Sequence, residues 1–158
     1  MQSPLKTILL AGFVAGLLDI LAAFFVYSVI QKAATPVQIL EHIASGVFKK
    51  GAFSGEMEMP VYGLIFHFCI AFSFAIFYFF LFPYIAFLKR QKIIAGILYG
   101  VFVWTIMNLI VVPVVFNRMP KISLSSSSIA MLILIVMVGL PISLITHKYY
   151  ASKPESID

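Results

Sequence analysis

Charged residues are scarce in this chain. Only 11% of its 158 residues are Asp, Glu, Lys or Arg, whereas 62% are hydrophobic. Soluble domains carry about 25% charged and about 45–50% apolar residues, so a water-soluble fold of this length would expose large apolar patches. The composition therefore excludes an ordinary soluble domain and favours a protein whose solvent is lipid.

Cysteine and catalytic motifs are also lacking. Cys69 is the single cysteine, which excludes an intramolecular disulfide and any multi-cysteine zinc site. It lies in an apolar run, where we expect a small buried side chain. The chain has no phosphate-binding loop, no nucleophile elbow and no HExxH zinc motif. We therefore predict that it is not an enzyme and that it holds no metal and no cofactor.

The basic excess does not indicate a nucleic-acid partner. There are 11 basic and 6 acidic side chains, which gives a net charge of +5. The basic residues lie at the termini and in short loops rather than along one helix face, so they form no phosphate-binding surface. Basic residues beside membrane spans orient those spans and hold their ends at the headgroups.

Four long apolar runs make up most of the sequence. They cover about residues 7–30, 61–88, 93–116 and 128–147. Each meets the roughly 20 residues that a helix needs to cross about 30 Å of hydrocarbon. Backbone amides find no water there, and the alternating pattern of a membrane β-barrel is absent. We predict an all-α, integral membrane four-helix bundle that forms one domain over residues 1–158.

A further helix is predicted outside the membrane, at about residues 35–50. Thr35, Pro36 and Gln38 supply an N-cap, a proline at the first helical position and a capping-box glutamine. Apolar residues then recur at helical spacing. The pattern predicts a short amphipathic helix between the first two spans, which lies on the membrane surface or caps the bundle.

Small residues recur at four-residue spacing in two of the runs. The first run contains Gly12 and Gly16, and the third contains Gly96 and Gly100. Such GxxxG motifs let helix backbones approach closely. Because the two motifs fall at similar depth on parallel helices, we predict that the first and third spans pack through them.

Three strongly polar residues interrupt the apolar runs: Asp19, His67 and Asn108. A charged side chain in hydrocarbon costs from about 2.5 kcal/mol upward, so each is a functional candidate. At about 1.5 Å per residue, all three fall in the half of the membrane away from the termini. Haem or metal binding by His67 is disfavoured, since no second ligand lies at matching depth.

Three interpretations of this trio stay open. In the first, Asp19 is the charge, His67 the titrating partner and Asn108 the orienting amide of a proton- or ligand-responsive site. In the second, the three groups bond to one another across helices and specify the packing of the bundle. In the third, they occupy separate and unrelated positions.

A series of short motifs runs over about residues 8–116. Its members are Ile43-Ala44-Ser45-Gly46-Val47-Phe48, Ala52-Phe53-Ser54-Gly55, His67-Phe68, Ile70-Ala71, Tyr78, Tyr99-Gly100-Val101, Met107-Asn108 and Pro113. In this order they resemble the YagU-like group of small bacterial inner-membrane proteins. The resemblance implies a four-span protein of that membrane, and it draws attention to the motifs that carry His67 and Asn108.

The sidedness of the chain follows from its shortest turn. Lys89, Arg90 and Lys92 lie between the second and third runs, and basic residues in short loops favour the cytoplasmic side. With four spans, both termini lie on that same side. We therefore predict a multi-pass protein with both termini in the cytoplasm.

Two functions are compatible with this architecture. The two GxxxG motifs favour a non-enzymatic accessory or structural protein that acts through helix–helix contacts. Its partners would be the lipid bilayer and a second copy or another membrane protein. The alternative is a small proton-linked transporter or pH-responsive membrane sensor that uses the intramembrane Asp, His and Asn.

Overall fold

Residues 3–116 and 124–152 are described by a computed structural model. Within them the chain is helical and contains no strand. The helices long and apolar enough to cross a membrane are Pro4–Ile30, Glu58–Tyr84, Lys92–Phe116 and Ser127–Ala151, here called the first to fourth spans. A shorter helix, Pro36–Phe48, connects the first two spans and is called the loop helix. The predicted all-helical, four-span membrane bundle is thereby confirmed.

The ends of the spans differ from the predicted limits by a few residues. The first span begins at Pro4, because the Ser3 side chain caps it by accepting a hydrogen bond from the amide of Lys6 at 3.2 Å. The second span ends at Tyr84 rather than near residue 88. Extended backbone at Ile85 separates it from a short helix, Ala86–Arg90, that leads into the third span.

The loop helix has the predicted capping box and covers one end of the bundle. The backbone amide of Thr35 donates to the Gln38 side chain at 2.9 Å, and the amide of Gln38 donates to the Thr35 hydroxyl at 3.3 Å. Gly63 of the second span lies directly against the backbone of Leu40. Lys49 then donates to the carbonyl of Val115 in the third span at 2.6 Å. These contacts hold the helix against the second and third spans.

The four spans form a ring. The first span packs closely on the second and on the fourth, and the fourth packs closely on the third. The second and third spans meet through large aromatic side chains instead. The Tyr78 and Tyr99 ring centroids lie 4.6 Å apart, and the Tyr99 hydroxyl donates to the carbonyl of Phe74 at 2.6 Å.

The glycine pairs contact other spans than those predicted. Gly12 and Gly16 lie against the aromatic rings of Phe72 and Phe68 in the second span. Gly96 and Gly100 lie against the backbone of the fourth span, where Gly139 completes the close approach. The prediction that the first and third spans pack through these glycines is therefore wrong. A GxxxG motif indicates where a neighbour comes close, but it does not say which neighbour.

Cys69 also differs from expectation. We expected a buried side chain, yet Cys69 is exposed on the surface of the second span. Its carbonyl accepts a hydrogen bond from the exposed Ser73 hydroxyl at 2.8 Å. The thiol therefore lies on the outer surface of the span rather than in the core of the bundle.

Close packing is concentrated in the half of the bundle nearest the termini. The buried core there includes Ala11, Ala15, Ala75, Tyr78, Phe82, Ala95, Tyr99, Val138 and Ile142. Two polar side chains there are hydrogen-bonded inside the bundle. The Ser143 hydroxyl donates to the carbonyl of Lys92 at 2.7 Å and lies 2.7 Å from the Tyr78 hydroxyl. Since the Ser143 hydrogen is already used, Tyr78 donates to Ser143.

Wider helical turns occur in the middle of the bundle and in its other half. The segments Phe24–Ile30, Met107–Val111 and Leu134–Gly139 are π-helical. Two of them come just before a proline, Pro113 or Pro141, which has no amide hydrogen for the carbonyl four residues earlier. The helix accommodates that missing bond by widening. Such π-helical turns are rare and occur frequently at functional sites.

Candidate functional site

A cavity of about 280 Å³ lies between the four spans, in the half of the bundle that the loop helix covers. Its volume corresponds to about nine water molecules at about 30 Å³ each. The first three spans each contribute one strongly polar side chain, namely Asp19, His67 and Asn108. Ile43 of the loop helix lies at the covered end.

The rest of the cavity wall is predominantly apolar. It includes Phe74, Val103, Met107, Ile133, Leu134 and Val138. The fourth span contributes only apolar side chains. A concave apolar surface with a few convergent polar groups is the usual form of a small-molecule site, because the apolar wall supplies contact area and the polar groups fix orientation.

His67 is held by a hydrogen bond to the first span. Its Nε2 lies 2.8 Å from the backbone carbonyl of Gly16. A carbonyl can only accept, so Nε2 carries the hydrogen. In the neutral ring, Nδ1 is then an acceptor, and protonation would convert it to a donor. This bond is available because Gly16 has no side chain and lies against Phe68, the neighbour of His67.

Asn108 is positioned by its own helix. It lies in the π-helical turn of the third span, and its Nδ2 donates to the carbonyl of Trp104 at 3.0 Å. This bond uses one of the two Nδ2 hydrogens and leaves Oδ1 as an acceptor. The side chain therefore presents a fixed hydrogen-bond acceptor rather than a freely rotating amide.

Among the described residues, Asp19 is the one carboxylate on the cavity wall. It is partly buried and interacts electrostatically with His67 and Tyr27, which line the same cavity. In the described part of the chain, no hydrogen-bond donor reaches its oxygens. A carboxylate surrounded by hydrocarbon is costly unless it is hydrated, protonated or paired. Whatever occupies the cavity therefore has to satisfy Asp19.

The arrangement bears on the three interpretations of the polar trio. Asp19, His67 and Asn108 lie on one cavity, although they belong to three different spans. Their hydrogen bonds go to the backbone carbonyls of Gly16 and Trp104 rather than to one another. The side chains thus leave space between them, as a binding site requires, instead of closing into a packed polar contact.

The predicted glycines have different relations to this site. Gly16 lines the cavity, whereas Gly12, Gly96 and Gly100 serve the helix contacts described above.

Sequence reasoning missed Tyr27, which also lines the cavity. Eight residues separate it from Asp19, a spacing that turns it about 80° away from Asp19 on a regular α-helix. The π-helical segment Phe24–Ile30 turns less per residue and carries Tyr27 toward the cavity. No residue in the sequence predicts this π-helical segment.

In residues 3–116 and 124–152, no three His, Cys, Asp or Glu side chains come close enough to hold a metal ion. The polar groups of the cavity are suited instead to hydrogen bonding and charge pairing. The chain matches no protein-family model, no curated protein and no solved structure.

Proposed function

We propose that this chain is a small proton-responsive membrane protein, of the proton-linked transporter or sensor type, whose working site is the cavity. The observation that carries the proposal is that Asp19, His67 and Asn108 line one cavity from three different spans. Ionisable residues inside a bilayer are costly, and they mark proton relays and ligand pathways in membrane proteins.

The proton chemistry follows from two groups. Asp19 and His67 interact electrostatically, so a proton on either one changes the charge felt by the other. Among the described residues, Tyr27 is the third titratable side chain on the wall, and the third and fourth spans and the loop helix contribute none. A pH response of the cavity should therefore depend on Asp19 and His67.

This proposal replaces helix–helix contact as the leading function. The glycine pairs that favoured an accessory protein are used inside the chain, against Phe68 and Phe72 of the second span and Gly139 of the fourth. An accessory role through other lipid-facing surfaces, with a second copy or another membrane protein, remains the second proposal. No feature of those surfaces selects a partner.

The proposed location is the bacterial inner membrane with both termini in the cytoplasm. Its support is the resemblance to the YagU-like group, membership of which is part of the proposal, together with the basic turn at Lys89, Arg90 and Lys92. In a Cys69→Ser background, Ser54→Cys should react with a membrane-impermeant maleimide in cells with a permeabilised outer membrane. Ser152→Cys should not react, and the reverse pattern would invert the orientation.

Trp104 offers a direct test of the proton response. It is the single tryptophan, its indole nitrogen is buried, and its carbonyl accepts the Asn108 hydrogen bond. In lipid nanodiscs, its fluorescence should show a transition as the pH is varied over about 4 to 9. Asp19→Asn and His67→Gln should abolish or shift that transition.

Matched controls lie outside the cavity. Glu58→Gln removes an exposed carboxylate at the start of the second span, and His147→Gln changes a histidine at the opposite end of the bundle. In both variants, Trp104 fluorescence should show the same pH transition as in the wild type. A wild-type transition that survives both Asp19→Asn and His67→Gln would refute the proposal.

A further inference from the structure

We infer that the ligand of the cavity is a small primary ammonium ion with an apolar body. This inference rests on the proposed function and names the class of ligand for the same site. It follows from the hydrogen-bonding character of the atoms that remain free on the cavity wall, from the charge of the wall and from its size.

Most of the free polar atoms of the trio are acceptors. One of the two Nδ2 hydrogens of Asn108 is bonded to the carbonyl of Trp104, and Nε2 of His67 is bonded to the carbonyl of Gly16, so the second Nδ2 hydrogen is the one donor left on the neutral trio. Asn108 Oδ1, neutral His67 Nδ1 and the Asp19 carboxylate also remain, and each of these groups accepts. Tyr27 adds a hydroxyl that can donate or accept.

A primary ammonium group is complementary to this set. It has three N–H donors, no acceptor and one positive charge. It would form a charge-assisted hydrogen bond with Asp19, which no donor of the described residues reaches. The aromatic rings of Tyr27 and Phe74 belong to the same wall, and a ring can stabilise a cation that lies over its face. An anion would instead meet the Asp19 carboxylate, and among the described residues of the wall only His67, when protonated, could offset that charge.

The remaining wall defines the body of the ligand. The fourth span contributes only apolar side chains, among them Ala130, Leu134 and Val138. The cavity of about 280 Å³ lies at the small end of ligand pockets, which span about 300–1,000 Å³. An alkyl chain or a single ring attached to the ammonium group fits that wall, whereas a large polar body would leave its own groups unpaired.

The experiment compares three probes that share one hydrocarbon chain. They are n-hexylammonium, uncharged 1-hexanol and hexyltrimethylammonium, which keeps the charge but has no N–H donor. Binding is measured through Trp104 fluorescence and by calorimetry in phosphatidylcholine nanodiscs. Hexylammonium should bind, and both analogues should bind about tenfold more weakly or worse, because each lacks the charge or the donors that the wall requires.

Two variants connect the binding to the cavity. Asp19→Asn should weaken hexylammonium binding about tenfold or more by removing the charge, while Ala130→Phe should abolish binding by filling the apolar side. Ser73→Ala, on the exposed surface of the second span, should bind like the wild type. Ala130→Phe and the three probes test the ligand independently of Asp19→Asn.

The source of the ammonium group is distinguished by lipid composition. A free amine and a phosphatidylethanolamine headgroup carry the same chemistry. If the headgroup is the natural ligand, phosphatidylethanolamine nanodiscs should lower the apparent affinity for hexylammonium, and for a free amine the affinity should be unchanged.

The outcomes also separate this inference from the proposed function. Equal binding of hexanol and hexylammonium, or full binding by Asp19→Asn, overturns the ammonium ligand. A pH transition of Trp104 without any hexylammonium binding overturns the ligand but leaves the proton response standing. Specific binding of hexylammonium without a pH transition supports the ligand and contradicts the proton response.

Discussion

His67 on the second span donates a hydrogen bond from Nε2 to the backbone carbonyl of Gly16 on the first span, at 2.8 Å. The bond joins two walls of the cavity, and it determines which ring nitrogen remains for a proton or a ligand. A packing contact and the chemistry of the site thus depend on the same side chain.

Replacing His67 by Ala should lower the free energy of unfolding in lipid by about 0.6–1.7 kcal/mol, the average and the maximum measured for hydrogen bonds between transmembrane helices. Unfolding can be followed by circular dichroism as sodium dodecyl sulfate is added to mixed micelles. The ring of His147 contacts the carbonyl of Lys89 at an exposed position, so His147→Ala should lower the free energy of unfolding by less. Equal losses in the two variants would mean that the Gly16 bond adds nothing.

Gly100→Ala and Gly139→Ala should be strongly destabilising. A Cβ on Gly100 would overlap the backbone of Ile135, and one on Gly139 would overlap the backbone of Gly96 and Gly100, where no side chain can rotate away. Overpacking of this kind costs about 1–3 kcal/mol or more. Gly51→Ala is the control, because nothing lies within 4 Å of a Cβ at that position. A similar loss of stability in all three variants would argue against the close approach of the third and fourth spans.

Ser143→Ala should destabilise the bundle more than Tyr78→Phe. The serine substitution removes two hydrogen bonds and leaves the carbonyl of Lys92 without this donor, whereas the tyrosine substitution removes one. At about 1 kcal/mol for each bond, the two variants should differ by about that amount in an unfolding titration. Equal effects would show that Ser143 does not bridge Tyr78 and Lys92.

Asp19→Asn should raise the free energy of unfolding at neutral pH while removing the proton response. The substitution replaces a carboxylate that lacks a hydrogen-bond donor in the described residues with a neutral amide of similar shape. We expect a gain of about 1–2.5 kcal/mol, because a charge at mid-membrane costs at least that much. Glu58→Gln, at an exposed position, should change stability by less than about 0.5 kcal/mol. A loss of stability on Asp19→Asn would mean that the charge is already compensated inside the protein.

The features that can be predicted from the sequence are those that depend only on residues near one another in the chain. The four spans follow from the length of each apolar run, and the start of the loop helix follows from Thr35, Pro36 and Gln38. Each pattern is complete within a few neighbouring residues. The membrane positions of Asp19 and His67 follow in the same way.

The pairing of the spans depended on information that the sequence does not contain. Gly12 and Gly16 indicate that another helix comes close. That helix is the second span, through Phe68 and Phe72, rather than the third span. Cys69 faces outward for a related reason. In lipid, both faces of a span are apolar, so composition alone cannot say which face is inside.

The cavity itself was only partly predictable. Counting residues along regular helices put Asp19, His67 and Asn108 at similar depth, but it gave no indication of the space between them. That space lies beside three π-helical segments. Only the prolines at 113 and 141 hint at two of these segments, and no residue type signals the one that carries Tyr27.

The π-helical turn that contains Asn108 determines how the third span responds to a change in its length. On a helix, adding or deleting one residue rotates everything beyond it by about 100°, and a π-helical turn absorbs one surplus residue locally. Deleting a single residue from Met107–Val111 would therefore leave a regular α-helix whose two flanks keep their orientation, while Asn108 would lose the widened turn that contains it. The effect of such a change in length would be confined to the hollow half, and the tightly packed half near the termini would keep its contacts.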